Sequence, residues 1–269
     1  MEKLDIILLD TVARLEFEPM VAEHSLKYYQ IIATEAEPRY RLTFKAEPPF
    51  LSVKEVIVPV EYPIIDGQRV LRQENFWINP RPDGAEVICQ RNNTNLVDWV
   101  LRHWVAMFLL PPNGALFHSA SAMNRANGGG YLFVGRTEAG KTTLANNIFS
   151  SPSWKLFCDE LNAAVLGDNG WRLMGTPFWG DFGLTRVENP VAPLRGICVL
   201  AKGKRLSKTL LSPAELTRHL LQTIVNYGGN DWYAAIALAY CQSLAKAIPG
   251  YRLVAPTDTD PEELAALLT

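Results

Sequence analysis

Cysteine is scarce and scattered: Cys89, Cys158, Cys198 and Cys241 are the only four. No C-x-x-C pair occurs, so neither a zinc site of that type nor a dense disulfide framework is indicated. Long apolar runs are missing too. None approaches the roughly 18–20 residues that span a bilayer. The segment Met1–Asp10 lacks the long apolar stretch and small-residue cleavage site of a signal peptide. There is no excess of either charge: 26 Lys and Arg stand against 28 Asp and Glu, a net charge of −2 that argues against nucleic acid or an anionic membrane as partner. Internal repeats and low-complexity tracts are absent. With 48% hydrophobic and 20% charged residues, the chain is not a disordered one. A cytoplasmic globular protein is expected, and 269 residues suit one large domain or two small ones.

The first part, residues 1–94, reads as a β-rich domain. Tyr40–Phe44, Val53–Val60 and Ala85–Gln90 carry β-branched and aromatic residues between turn signals such as Asp66-Gly67 and Pro80–Gly84. Residues 95–112 read as a connecting helix. Asn95 is its expected cap, and Val97, Val100, Leu101, Trp104, Val105 and Phe108 share one face. Pro111-Pro112 ends the helix, and residues 113–269 form the second domain. There, strands are expected at Ala115–Met123, Tyr131–Val134, Trp154–Cys158 and Leu194–Ala201, with a hairpin turn at Gly167–Gly170. Three helices follow. Ser212-Pro213-Ala214-Glu215 is a capping box, Asp231–Ile248 has helical composition, and Asp260-Pro261 opens the last.

One motif carries chemistry. Gly135-Arg136-Thr137-Glu138-Ala139-Gly140-Lys141-Thr142, followed by Thr143, fits G-x-x-x-x-G-K-[ST] in full. Glycines let the backbone curl so that successive N–H groups face a phosphate, and the helix start adds its dipole. Lys141 would reach the β- and γ-phosphates, and Thr142 would bind Mg²⁺. An apolar strand precedes the loop and a helix-forming run follows it, the order this mechanism needs. Leu156–Glu160 is a short apolar strand ending in two acids, Asp159 and Glu160, where a metal-holding carboxylate belongs. Ile6–Asp10 has a similar look but lies upstream and reads as a plain strand.

The motifs of a regulatory GTPase and of an ABC-type ATPase are absent. Asp181-Phe182-Gly183 spells a protein-kinase triplet without its companions and is a coincidence. Before the loop, Phe117-His118-Ser119-Ala120-Ser121-Ala122 forms a strand that turns through three glycines into the loop's own strand. In this order of His118, loop and paired acids the chain resembles the HPr kinase/phosphorylase group, whose core is related to phosphoenolpyruvate carboxykinase. Pro193-Leu194-Arg195-Gly196-Ile197 loosely matches that group's downstream Arg-Gly segment. The likeness covers residues 113–200 and is closer to the stand-alone HPr kinase-like proteins than to the bacterial regulator. Glu160 stands where the regulator has Asp, and the N-terminal part and closing helices have no counterpart.

The resemblance implies an α/β protein with a P-loop nucleotide-binding core, a β-rich N-terminal part and C-terminal helices. ATP and Mg²⁺ are the implied cofactors. Asp159 would deprotonate the accepting hydroxyl, Glu160 would help hold metal, and His118 would touch the γ-phosphate or the acids. Arg195 could neutralise transition-state charge. Arg136 would contact a phosphate or face water. The turn Gly175–Gly180, with exposed-type aromatics, could wall the pocket or pack beneath it. His24, His103 and His219 receive no role, the last two reading as surface or cap residues. The first expectation is therefore a Mg-ATP-dependent kinase acting on a hydroxyl of a protein Ser or small metabolite. The alternative is a non-catalytic nucleotide-dependent regulatory or assembly module. A simple NTPase ranks last, because no water-positioning Gln lies near the loop. The acceptor stays unidentified, and a homo-oligomer is allowed but not indicated.

Overall fold

The computed structural model describes residues 2–18, 29–52, 60–73, 75–92, 95–180, 190–227 and 231–269. His24, Asp181-Phe182-Gly183 and residues 53–59 of the expected strand Val53–Val60 lie outside them. The chain is a mixed α/β protein, mostly strands, and divides into two compact units. One comprises Met1–Leu109 with Asn226–Asn230, the other Leu110–Val225 with Asp231–Thr269. No helix among the described residues is long and apolar enough to cross a membrane.

The first unit holds β1 (Glu2–Leu8), β2 (Thr11–Phe17), β3 (Gln30–Ile32), β4 (Tyr40–Ser52), β5 (Ile64–Ile65), β6 (Gln68–Arg69), β7 (Leu71–Arg72), β8 (Phe76–Arg81) and β9 (Gly84–Asn92). Seven of these form a sheet in the order β3-β1-β2-β4-β9-β8-β7, and β5 and β6 form a small hairpin. The alternation expected of half-buried strands is plain. Ile6 and Leu8, Ala13, Leu15 and Phe17, then Leu42 and Phe44 are buried at every second position. Phe17 stacks on Phe44 at 5.0 Å, and on the other face Arg14 pairs with its cross-strand partner Asp5 at 2.7 Å. The Arg14 guanidinium holds the Asp5 carboxyl below its ordinary range.

Helix α1 (Leu96–Trp104) buries the expected face: Val97, Val100, Leu101 and Trp104 are all 2% exposed or less. Two expectations fail here. Asn95 makes no side-chain capping bond, and the helix passes into a π turn, Val105–Leu109, rather than running on as α. A third correction concerns His103, which is buried and not a surface residue. Its Nδ1 lies 2.7 Å from the Trp99 carbonyl, and its ring stacks on Tyr227 at 3.9 Å. Burial lowers its pKa to about 4.

The second unit contains β10 (Gly114–Asn124), β11 (Gly129–Val134), α2 (Lys141–Phe149), β12 (Trp154–Cys158), β13 (Leu161–Gly167), β14 (Gly170–Met174), β15 (Val191–Ala201), β16 (Ser207–Leu210), α3 (Pro213–Leu221), α4 (Asp231–Ala247), β17 (Gly250–Val254) and α5 (Pro261–Leu267). Two long strands organise it. The first half of β10 pairs with β13; its second half pairs with β11 on one side and β12 on the other. The start of β15 pairs with β14, and its later part runs parallel to both β11 and β17. Sharing β10 and β15 folds the strands around one core, where Phe117, Leu132, Val134, Ile197, Leu216 and Leu244 meet. A fully buried Phe such as Phe117 contributes roughly 1.5–3 kcal/mol. The capping box on α3 forms in full, and Asp260 caps α5 by accepting from the Glu262 amide. Strand β17, between the last two helices, was not expected from the sequence.

Candidate functional site

Strand register assembles the site. Ser119 of β10 pairs with Val134, the last residue of β11, so His118 stands one residue beyond the end of β11. On the other flank of β10 the Ser119 amide donates to the Glu160 carbonyl, 2.9 Å. The ends of β12 and β11 and the middle of β10 therefore bring Asp159-Glu160, Gly135 and His118 to one level of the sheet. The antiparallel hairpin expected ahead of the loop is formed by β10 and β11.

The loop between β11 and α2 turns tightly. Glu138 has φ 64° and Gly140, the N-cap of α2, has φ 99°. A side chain at Gly140 would be strained there, and Glu138 already carries that strain. Gly135 is required for a different reason: a Cβ on it would come within 2.7 Å of the Ala139 Cβ. Lys141 opens α2 and is 7% exposed. Its Nζ donates to the Gly135 carbonyl at 3.0 Å and approaches the Arg136 carbonyl at 3.4 Å. Burial lowers its pKa, an effect opposed by the negative charge of Glu160. An ammonium half-desolvated on loop carbonyls favours an anion arriving beside it. Thr137, Thr142 and Thr143 are exposed on the loop and the first turn of α2.

The acid pair sits on a buried scaffold. Asp159 is 5% exposed, and its Oδ1 accepts from the Gly180 amide at 3.2 Å. Glu160 Oε1 lies 3.1 Å from His118 Nδ1, with both side chains partly open to solvent. Gly180 packs against both acids, since a Cβ there would meet Glu160 Oε2 at 3.1 Å and Asp159 Oδ2 at 3.4 Å. Beneath them Asn162 is fully buried. Its Nδ2 donates to the Ser119 carbonyl at 2.7 Å and to the Cys158 carbonyl at 3.2 Å, and its Oδ1 accepts from Ser121. This amide ties the His118 strand to the strand that carries the acids. The Cys158 thiol is buried in the same layer and pushed up to about 12.

The Gly175–Gly180 turn differs from expectation. Phe178 and Trp179 are buried, not exposed, and Thr176 Oγ1 bonds the Leu161 carbonyl. The turn packs beneath the acids and delivers the Gly180 amide to Asp159. Arg195 is not brought to the site. It lies on β15 against Gly129, at the start of β11, whereas the loop leaves the other end. From Arg195 to Val199, the partner of Val134 at that other end, four steps of about 3.3 Å make roughly 13 Å along the strand. Position in a motif-like segment fixed its residue type but not its register.

A cavity of about 370 Å³ opens beside the loop. Gly135, Arg136 and Val199 line it together with His219, Gln222 and Thr223 from the end of α3 and the turn after it. The Thr223 carbonyl accepts from the His118 amide at 2.8 Å, which joins this wall to β10. Sequence reasoning gave His219 no role, and no local motif signals it. Asn162 was equally unmarked, because its role arises from a contact 43 residues away, and within the Gly175–Gly180 turn the bond from the Gly180 amide to Asp159, 21 residues away, had no local signal.

Among the described residues no group of three or more His, Cys, Asp or Glu side chains could hold a metal ion by itself. Mg²⁺ shared with a nucleotide needs only one or two carboxylates besides phosphates and water, and Thr142, Asp159 and Glu160 supply hard oxygen donors of that kind. No family model and no curated protein matches the chain.

Proposed function

We propose that this protein is a Mg-ATP-dependent phosphotransferase with an HPr kinase-like P-loop core, acting on a hydroxyl acceptor. One observation carries the reading: the buried Lys141 amine is tethered to the loop carbonyls of Gly135 and Arg136, at the level of the sheet that also carries Asp159, Glu160 and His118.

The chemistry follows from those positions. The backbone of residues 135–142 and the N-terminus of α2 would receive the phosphates. Lys141 would exchange its carbonyl contacts for the β- and γ-phosphate oxygens, a stronger charge-assisted pairing. Mg²⁺, held by Thr142 with Asp159 or Glu160, would supply charge neutralisation on the phosphates. Asp159, oriented by the Gly180 amide, would take the proton of the accepting hydroxyl. His118 would steady Glu160. Such transfer rests mainly on positioning and charge, which a small set of groups provides.

Calorimetric titration of Mg-ATP into the wild type and into Lys141→Ala tests the binding half. Micromolar to submillimolar binding that weakens at least about tenfold in the variant is expected. Transfer of γ-phosphate label into cell extract tests the chemistry, and Asp159→Asn should slow it by about 10²-fold or more. Wild-type transfer rates in Asp159→Asn would remove the proposed base. A folded wild type that binds no Mg-ATP would end the kinase reading. Nucleotide binding without transfer to any component of the extract would favour the regulatory module instead.

A further inference from the structure

The cavity beside the loop has a position and a charge that define what it takes. Lys141 is tethered to the carbonyls of Gly135 and Arg136, and both residues line the cavity. The cavity therefore borders the loop that would receive the phosphates. The opposite wall is formed by His219, Gln222 and Thr223, and Val199 supplies an apolar floor. At about 370 Å³ the cavity suits a small molecule and is too small for a folded partner.

Its surroundings are cationic. Arg136 lines it directly. Arg252 is the register partner of the floor residue Val199 and so shares its face of the sheet. Arg218 precedes His219 on α3. Among the described residues none of these three arginines forms a salt bridge. The effect is felt at His219, whose pKa is lowered by burial and then by Arg252, Arg218 and Arg136, with Glu215 the one opposing charge. Arg136 in the wall, with Arg252 on the same face of the sheet as the floor residue Val199, forms a site for an anionic group.

We infer that this cavity is the acceptor pocket, and that the acceptor is a small hydroxyl-bearing molecule with a carboxylate or phosphate group held by Arg136 and Arg252. The inference rests on the phosphotransferase reading for the word acceptor; the anion site itself does not. In the transfer, the acceptor oxygen forms a bond to the γ-phosphorus of ATP as the bond from that phosphorus to the β–γ bridging oxygen breaks. The hydroxyl proton goes to Asp159, and ADP leaves with the bridging oxygen.

Three probes of one carbon skeleton separate the possibilities: glycerate, glycerol 3-phosphate and neutral glycerol. Each is titrated into the full-length protein while the His219 ring proton signal is followed by NMR, assigned with His219→Gln. The charged probes should shift the signal and bind at least tenfold more weakly to Arg252→Gln, whose Mg-ATP affinity stays at the wild-type level. Which of the two anions binds more tightly distinguishes a carboxylate acceptor from a phosphorylated one. An equal response to glycerol overturns the anion site. So does binding that is lost in Lys141→Ala but unchanged in Arg252→Gln, which would put the probe in the phosphate loop. Loss of Mg-ATP affinity in Arg252→Gln would make the cavity the nucleoside's and overturn its role as acceptor pocket. No response to any probe, with Mg-ATP binding intact, overturns the inference while leaving the kinase reading standing. Probe binding in a protein that binds no Mg-ATP would keep the anion site and remove its role as acceptor pocket.

Discussion

Acid should destabilise the first unit through one residue, His103. The imidazole is 1% exposed, clamped between Tyr227 and Trp99, with one nitrogen on the Trp99 carbonyl. Its other nitrogen, Nε2, has no hydrogen-bond partner among the described residues. Burial is the first cause of the lowered pKa of about 4; Arg102 adds to it, and the Trp99 carbonyl opposes it. The unfolded chain has the ordinary value, near 6.5. As pH falls through 6.5 the unfolded state takes up a proton that the native state refuses until about pH 4. Stability therefore falls with falling pH across that window. The loss amounts to about 2 kcal/mol between pH 7.5 and pH 5, and to about 3 kcal/mol once the pH lies below 4. His103→Phe keeps a stacking ring but removes the titration. Urea unfolding of both proteins at pH 7.5, 6 and 5, followed by tryptophan fluorescence, gives the comparison. The carboxylates common to both cancel in the difference. A wild type that loses no more stability than the variant over this range would refute the argument, as would an imidazole titrating near its ordinary value by NMR.

Two further changes test how the site is held. Asn162→Ala removes the amide that bridges Ser119, Ser121 and Cys158, and should cost about 2–4 kcal/mol in urea unfolding because buried polar partners are left unpaired. Any folded fraction should show a lower kcat for transfer with little change in Mg-ATP affinity, since the acids shift and the loop does not. Ser212→Ala deletes the bond from the Glu215 amide to Ser212 Oγ, while the Ser212 amide keeps its bond to the Glu215 carboxylate, and should cost about 1 kcal/mol in thermal unfolding. A melting temperature equal to the wild type's would show that packing of Leu216 and Leu220, and not the cap, fixes that helix.

Elements set by local rules were legible in the sequence. The strands at Tyr40–Phe44 and Ala85–Gln90, the apolar face of α1, the Gly167–Gly170 hairpin and the Ser212 box each rest on residues a few positions apart. What was not legible depends on distant pairing. His103 reads as a polar helix residue, yet Tyr227, more than a hundred positions away, covers its ring. Phe178 and Trp179 follow a Gly-Thr-Pro turn that looks exposed, but Thr176 anchors the turn to Leu161 and folds both rings inward. Asn162 looks like any polar residue on a strand. Only the crossing of β10, β12 and β13 makes its amide central.

The same logic explains where a cation for phosphoryl transfer should be sought. A motif reading assigns it to Arg195, next to a glycine on an apolar strand. Parallel pairing of β11 with β15 puts that residue beside Gly129, at the end of the strand the loop does not leave. A residue near the loop must instead pair with, or follow, the positions that face Val134. Val199 is its partner on β15, and Val199 in turn faces Arg252 on β17. Arg136 lies in the loop itself. Arg136 lines the cavity beside the loop, and Arg252 shares a face of the sheet with the cavity residue Val199, which no spacing rule applied to residues 193–197 could have shown. Removing Arg195 should therefore leave transfer near the wild-type rate, whereas removing Arg252 should raise the KM for the acceptor.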